Sequence, residues 1–133
     1  MKKLLIPLAS ILFIITTSVN ANTQVQSDPA EAFQNTVAKK SVNYTCQNHK
    51  KVKVIYGFNK QGLPTYAQSV LNGKSRFMPI NLYRSDNVDT VFGDENNFSL
   101  MGENITRKNY RSSINIQSPN SEIIFKGCNV RYR

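Results

Sequence analysis

A chain of 133 residues carries 17 Lys and Arg against 8 Asp and Glu, a formal net charge of +9. That length supports one packed domain rather than two, and the positive excess favours polyanions or an anionic surface as partners. One histidine and two cysteines are too few to build a zinc site.

The N-terminus reads as a targeting segment. Met1-Lys2-Lys3 supplies positive charge, and Val19-Asn20-Ala21 offers a small-residue cleavage site. Between them Leu4 to Thr16 is mostly apolar but too short for a membrane span. Residues 1–21 are therefore expected to be a signal peptide. Its loss removes Lys2 and Lys3 and takes the charge from +9 to +7. No cysteine follows the cleavage site to take a lipid, and no later apolar run has the length of a transmembrane segment. The expectation is an exported protein: periplasmic, associated with the outer membrane or cell surface, or secreted. Residues 22–38 are polar and read as a flexible spacer. Within them Asp28 is placed to cap a helix of a turn or two, with Pro29 at its first position and Glu31 closing a capping box.

From Val37 on, the apolar residues recur every second position, the period of half-buried strands. Val42, Tyr44 and Cys46 alternate with Ser41, Asn43 and Thr45, and a turn at Asn48-His49 leads to Val52, Val54, Tyr56 and Phe58. Asn59-Lys60-Gln61-Gly62 is the next turn, and Tyr66 to Leu71 the next strand. Asn72-Gly73 is a hairpin signal, because a type I′ turn needs positive φ at both positions. Lys74 to Leu82 returns, with Pro79 marking an edge, a bulge or the end of that strand. Further strands are expected at Val88–Phe92, Phe98–Met101, around Ile114 and Ile116, and from Ile123 to Cys128. Short strands at this spacing predict an all-β domain over residues 39–133, a small antiparallel barrel of about eight strands. In an exported chain Cys46 and Cys128 read as one disulfide, two free thiols being the alternative. A bridge over about 80 residues stabilises a fold by about 4–5 kcal/mol.

Catalytic chemistry is hard to assemble. His49 is the single histidine and lies in a turn, and no nucleophile elbow, phosphate loop or metal cage accompanies it. Asp86 and Asp89 flank no apolar pocket of the kind that raises a catalytic carboxyl. The spacing around Gly93 is not that of a calcium loop. No enzyme, metal or cofactor is expected. Lys50, Lys51 and Lys53 lie close to Tyr56 and Phe58, but in a strand Lys51 and Lys53 face away from those rings, so no nucleic-acid partner is expected either.

What remains is a rigid binding module. Four of the eight acidic residues, Asp86, Asp89, Asp94 and Glu95, fall within Ser85–Glu95. Such a run is ordinarily a solvated turn, but in a basic chain it is also a candidate contact surface. A second polar loop, Glu103–Arg111, contains Arg107, Lys108 and Tyr110.

Several motifs carry a resemblance. Tyr44-x-Cys46-Gln47, the run from Lys50 to Leu63, Asn72-Gly73-Lys74, Met78-Pro79, Ser85-Asp86-Asn87-Val88, Lys108-x-Tyr110-Arg111 and Ile123-x-Phe125-Lys126-x-Cys128 closely resemble the adhesin complex protein family. The match covers nearly all of the chain after Val37. That family looks like a branch of the bacterial periplasmic and membrane-bound inhibitors of c-type lysozyme. It implies a disulfide-closed barrel and a monomeric virulence factor that binds host lysozyme in its active-site cleft and adheres to host cells.

The wider inhibitor family places a Ser-Gly-x-x-Tyr motif and a loop lysine in the enzyme's cleft. Ser85 matches the serine, whereas Asp86 and Asp89 replace the glycine and tyrosine. Phe98-Ser99-Leu100-Met101-Gly102 has no lysine, and Lys108 is the nearest candidate. The expected contact set is Ser85, Asp86, Asn87, Asp89, Asp94, Glu95, Arg107, Lys108 and Tyr110. The competing reading is a surface adhesin that holds anionic host or cell-surface components without inhibiting an enzyme.

Overall fold

The computed structural model of the chain describes residues 28–130. The predicted signal segment and residues 22–27 of the spacer lie outside the described residues. Eight strands follow one short helix: α1 (Pro29–Gln34), β1 (Ala38–Thr45), β2 (Lys51–Phe58), β3 (Pro64–Leu71), β4 (Lys74–Pro79), β5 (Asp89–Gly93), β6 (Ser99–Glu103), β7 (Ile114–Gln117) and β8 (Ile123–Val130). No helix among the described residues is long and apolar enough to cross a membrane.

The period-two pattern is realised as expected. Val42 and Tyr44 of β1 and Val52, Val54, Tyr56 and Phe58 of β2 are buried, while Ser41, Asn43, Lys51 and Lys53 face solvent. Asn72 and Gly73 both take positive φ, 53° and 81°, as a type I′ hairpin requires. His49 is exposed in the β1–β2 turn, where its φ is 60°.

The sheet runs β4-β3-β2-β1-β8-β7-β6-β5, and its pairs are antiparallel. Two meanders are therefore joined back to back at β1 and β8. That junction has a short ladder, Tyr44 opposite Val130 and Thr45 opposite Asn129. The Cys46–Cys128 disulfide, which bridges residues 82 apart in sequence, staples it.

The other two edges, β4 and β5, almost close the barrel. They touch through one isolated bridge, Ile80 to Phe92, and Asn81 extends it. Its backbone N–H donates to Val91 O at 2.8 Å. Its side-chain Nδ2 donates to Gly93 O at 2.9 Å, and its Oδ1 accepts from Arg84 N at 3.1 Å. Asn81 is 4% exposed, so water does not compete for these groups. The strand expected to run to Leu82 ends at Pro79. Proline removes the ladder donor there, and the chain leaves β4 to lie across the seam.

Inside, Val54, Phe58, Leu71, Met78, Phe92, Leu100, Ile114 and Ile116 fill the barrel; each such side chain contributes about 1.5–3 kcal/mol by leaving water. Tyr44 and Tyr56 place a polar pair in the interior, where their hydroxyls hydrogen-bond each other at 2.6 Å. Burial pushes the Tyr44 phenol up to about 12 against the opposing effect of its bond to Tyr56. Burial, then the charge and the hydrogen bond of Tyr44, hold Tyr56 well above the ordinary phenol range.

Outside, α1 docks on β3 and β4. Asp28 caps it, accepting from Glu31 N at 3.1 Å. Phe33 packs 6.2 Å from Tyr66 and 6.5 Å from Phe77, which stack at 4.5 Å. Gly57 admits the Tyr66 ring, since a Cβ there would collide with it.

Asn81→Ala removes both side-chain bonds at the seam and leaves the buried Gly93 carbonyl without its donor. Urea unfolding should register a loss of about 1–3 kcal/mol; an unchanged midpoint would mean that the seam does not hold the barrel shut. The tyrosine pair sets the alkaline limit. Unfolded phenols ionise near pH 10, whereas the folded pair stays protonated to higher pH. Above pH 10 the native state thus binds more protons than the unfolded one, and stability falls as pH rises. Ultraviolet titration should find Tyr44 and Tyr56 un-ionised until the protein unfolds; ionisation of every tyrosine near pH 10 with the fold intact would contradict this.

Candidate functional site

Because the strands run up and down, their connections segregate. Loops 59–63, 80–88 and 104–113 emerge at one end of the barrel, beside the start of β1. The turns after β1, β3, β5 and β7 emerge at the other. This division decides which of the residues singled out from the sequence can act together.

The loop 80–88 first serves the fold. Asp89, Val91 and Gly93 present the free edge of β5, and the loop satisfies it. Asp86 Oδ1 accepts from Val88 N and Asp89 N, both at 2.8 Å, and Asp86 N donates back to Asp89 O at 2.8 Å. Ser85 Oγ accepts from Val91 N at 2.9 Å and donates to Val91 O at 3.3 Å. The N–H groups of Asp89 and Val88 hold the Asp86 carboxyl below its ordinary range. Ser85 is thereby tied to β5, while Asn87 and the rest of the Asp86 carboxylate face solvent.

The second loop meets the first. Asn104 N donates to Val88 O at 2.8 Å, and Asp89 lies opposite Glu103 in the β5–β6 register. Ile105, in a stretch that reads as polar, is 1% exposed and donates its N–H to Thr90 Oγ1 at 2.9 Å. Arg107 N reaches Gly62 O at 2.9 Å and so ties in the loop 59–63. Tyr110 packs 6.3 Å from Phe58, with Lys40 Nζ 5.7 Å from its ring, which makes it the anchor of this loop. Arg107 and Lys108 are exposed.

Of the nine expected contact residues, the structure brings Ser85, Asp86, Asn87, Asp89, Arg107, Lys108 and Tyr110 to one rim. Asp94 and Glu95 are at the other end of β5, where Asp94 Oδ1 accepts from Asn96 N at 2.9 Å and Asn97 Nδ2 at 3.0 Å. A five-residue strand separates the two groups by about 14 Å. The acidic run is contiguous in sequence and divided in space.

The rim also carries side chains that the charge pattern does not reveal. Leu82 is 67% exposed, Tyr83 76% and Val88 62%, and Val37 and Leu63 are exposed beside them. A groove of about 850 Å³ runs past Val37, Leu63, Pro64, Ile80 and Leu82. Large apolar groups left in water on one rim are a mark of a contact surface. Asp89 opposite Glu103 is a like-charge pair that costs stability, so folding alone does not account for it. The signal available in the sequence was Leu82-Tyr83, three and four residues after Pro79, where a strand can no longer shelter them.

The fold and rim define a disulfide-closed eight-stranded barrel with an apolar and acidic loop surface at one end. The family of ACP-like domains (Nm-ACP) matches residues 40–130, and the chain belongs to that family. Among solved structures, the Adhesin Complex Protein from Neisseria meningitidis is 50% identical over 69% of this chain and 99% of its own, with a TM-score of 0.66. PliC-St, the periplasmic lysozyme inhibitor of C-type lysozyme from Salmonella typhimurium, is 16% identical over 71% of this chain and 100% of its own, with a TM-score of 0.52. At that identity it shares the fold. The two neighbours are an adhesin and an inhibitor rather than enzymes. Among curated proteins nothing matches the chain.

Asp86 separates turn from charge. Asp86→Asn keeps the Oδ1 acceptor, and the Val88 and Asp89 amides should exchange with solvent at near the native rate. Asp86→Ala removes it, and both amides should exchange several-fold faster by NMR. Equal exchange in the two variants would mean that the side chain does not hold the loop.

Proposed function

We propose that this protein is an exported inhibitor of c-type lysozyme that covers the enzyme's active-site cleft with the rim of loops 80–88 and 104–113, and that it also acts in adhesion. The observation that carries the reading is the pairing, on one clamped loop, of exposed Leu82 and Tyr83 with the carboxylates of Asp86 and Asp89. Apolar and aromatic side chains supply most of the affinity of an interface. Carboxylates on the rim complement a basic enzyme and offset the repulsion between two positively charged proteins. The inhibitor fold of PliC-St supports it.

In this reading the residue roles divide. Ser85 holds the loop to β5 instead of entering the cleft. Tyr83 and Leu82 are the inserting groups. Asp86, Asn87 and Asp89 face the basic margin of the cleft, and Lys108 with Arg107 meets the enzyme's carboxylates. Tyr110 positions that second loop. Asp94 and Glu95 are outside the contact. Periplasm and cell surface both suit this role, since the enzyme acts on the wall from outside.

The form beginning at Asn22 should block lysis of cell walls by a c-type lysozyme; no inhibition at several-fold molar excess would refute the proposal. Tyr83→Ala should weaken inhibition by about 30-fold, the effect of a central aromatic anchor worth about 2 kcal/mol. Replacing Asp94 and Glu95 with Asn and Gln should leave it unchanged. The reverse pattern would move the contact to the opposite end of the barrel.

A further inference from the structure

The charge of this barrel is divided between its two meanders. From Ala38 to Pro79 the chain holds eight Lys and Arg and no Asp or Glu; from Ile80 to Val130 it holds five Lys and Arg and six Asp and Glu. The β1–β4 half thus carries +8 and the β5–β8 half −1. The fold keeps the halves apart, because β1–β4 and β5–β8 are separate blocks of the sheet order.

Not every cation in the basic half is available. Lys50 Nζ donates to Ile124 O and sits 4.5 Å from the Phe125 ring. Lys40 and Lys39 lie over the rings of Tyr110 and Phe33. Arg76 donates to Leu71 O at 3.1 Å and covers Phe98. Lys51 and Lys53 are different. They are exposed on the outer wall of β2 and point the same way, about 7 Å apart along the strand. They border a shallow groove of about 430 Å³ that is completed by Val52, Ile55, Gln68, Ser69, Val70 and Ser75. Gln68 Nε2 donates to Ser75 Oγ at 2.9 Å, so these two polar groups are held in place. Asn43 on β1 lies opposite Lys53 and adds a third.

We infer that this wall is a second binding site, for a linear sulfated glycan. Two ammonium groups in a row match anionic groups repeated along an extended chain, and a point charge on a flexible stem suits a sulfate oxygen. Asn43, Gln68 and Ser75 offer amide and hydroxyl partners for sugar hydroxyls. The groove holds no aromatic side chain, so it lacks the stacking platform of a single-strand nucleic-acid site. Its apolar residues, Val52, Ile55 and Val70, lie in a recess between the lysines rather than forming the projecting apolar face that a membrane-surface element inserts. The site stands apart from the lysozyme reading. Lys53 is near the start of β2, about 17 Å along the strand from the rim end at Phe58.

The test uses heparin as the probe and the form beginning at Asn22. At about 0.15 M salt, Lys51→Gln with Lys53→Gln should weaken heparin binding about tenfold, or about 1.4 kcal/mol. Lys60→Gln with Lys108→Gln, the same charge change on the rim, should alter it by less than about twofold, below the roughly 0.4 kcal/mol this represents. Lys51→Arg with Lys53→Arg should retain binding. Chemically desulfated heparin, single-stranded DNA and anionic phospholipid vesicles should all bind more weakly than heparin. Equal loss in the two Gln pairs would overturn the site, and any of those three probes matching heparin would overturn the ligand class. Lysozyme inhibition by the Lys51→Gln, Lys53→Gln protein should be unchanged, which separates failure of this site from failure of the rim.

Discussion

A sheet that curls into a barrel without completing its ladder must dispose of two raw edges, and here Asn81 does so for one of them. Its backbone and side chain together reach Val91 and Gly93 across the seam. Buried amides and carbonyls left unpaired are expensive, and the residues that follow Asn81 complete the task. Ser85 serves Val91, and Asp86 serves Asp89. The connection from β4 to β5 is therefore not a free loop but an irregular strip laid along β5. The disulfide does the corresponding work where β1 and β8 meet over a short ladder.

This arrangement explains how a surface loop presents large apolar groups without collapsing onto the barrel. The strip is pinned at Asn81, Ser85 and Asp86, so Leu82, Tyr83 and Val88 are held outward between fixed points. Preorganisation of this kind lowers the ordering cost of association. The same bonds occupy Ser85. Its hydroxyl is part of the β5 edge.

Much of the architecture was legible in residue order, because the information needed was local. Alternation placed Tyr44, Tyr56 and Phe58 inside and Lys51 and Lys53 outside, and Asn72-Gly73 marked its hairpin. The disulfide followed from a cysteine count in a chain expected to be exported. The seam was not legible, since an asparagine after Pro79 looks like any turn residue until the far strand is in place. Ile105 was hidden by polar neighbours. The acidic run is divided for a geometric reason that residue order does not show: β5 lies inside it and carries Asp94 and Glu95 to the opposite end from Asp86 and Asp89. The charge asymmetry between the meanders was present in the sequence, but its meaning depended on knowing that β1–β4 form one wall.

Rim and wall differ in chemistry: the rim sets exposed apolar groups beside carboxylates and two cations, and the wall sets two lysines along a shallow groove. Amide hydrogen exchange with and without a c-type lysozyme tests the role proposed for the rim. Binding should slow exchange in residues 82–89 and 104–111 and leave the turn at 94–97 and the start of β2 as they were. Slowed exchange at 94–97 or 51–53 with an unchanged rim would contradict the account.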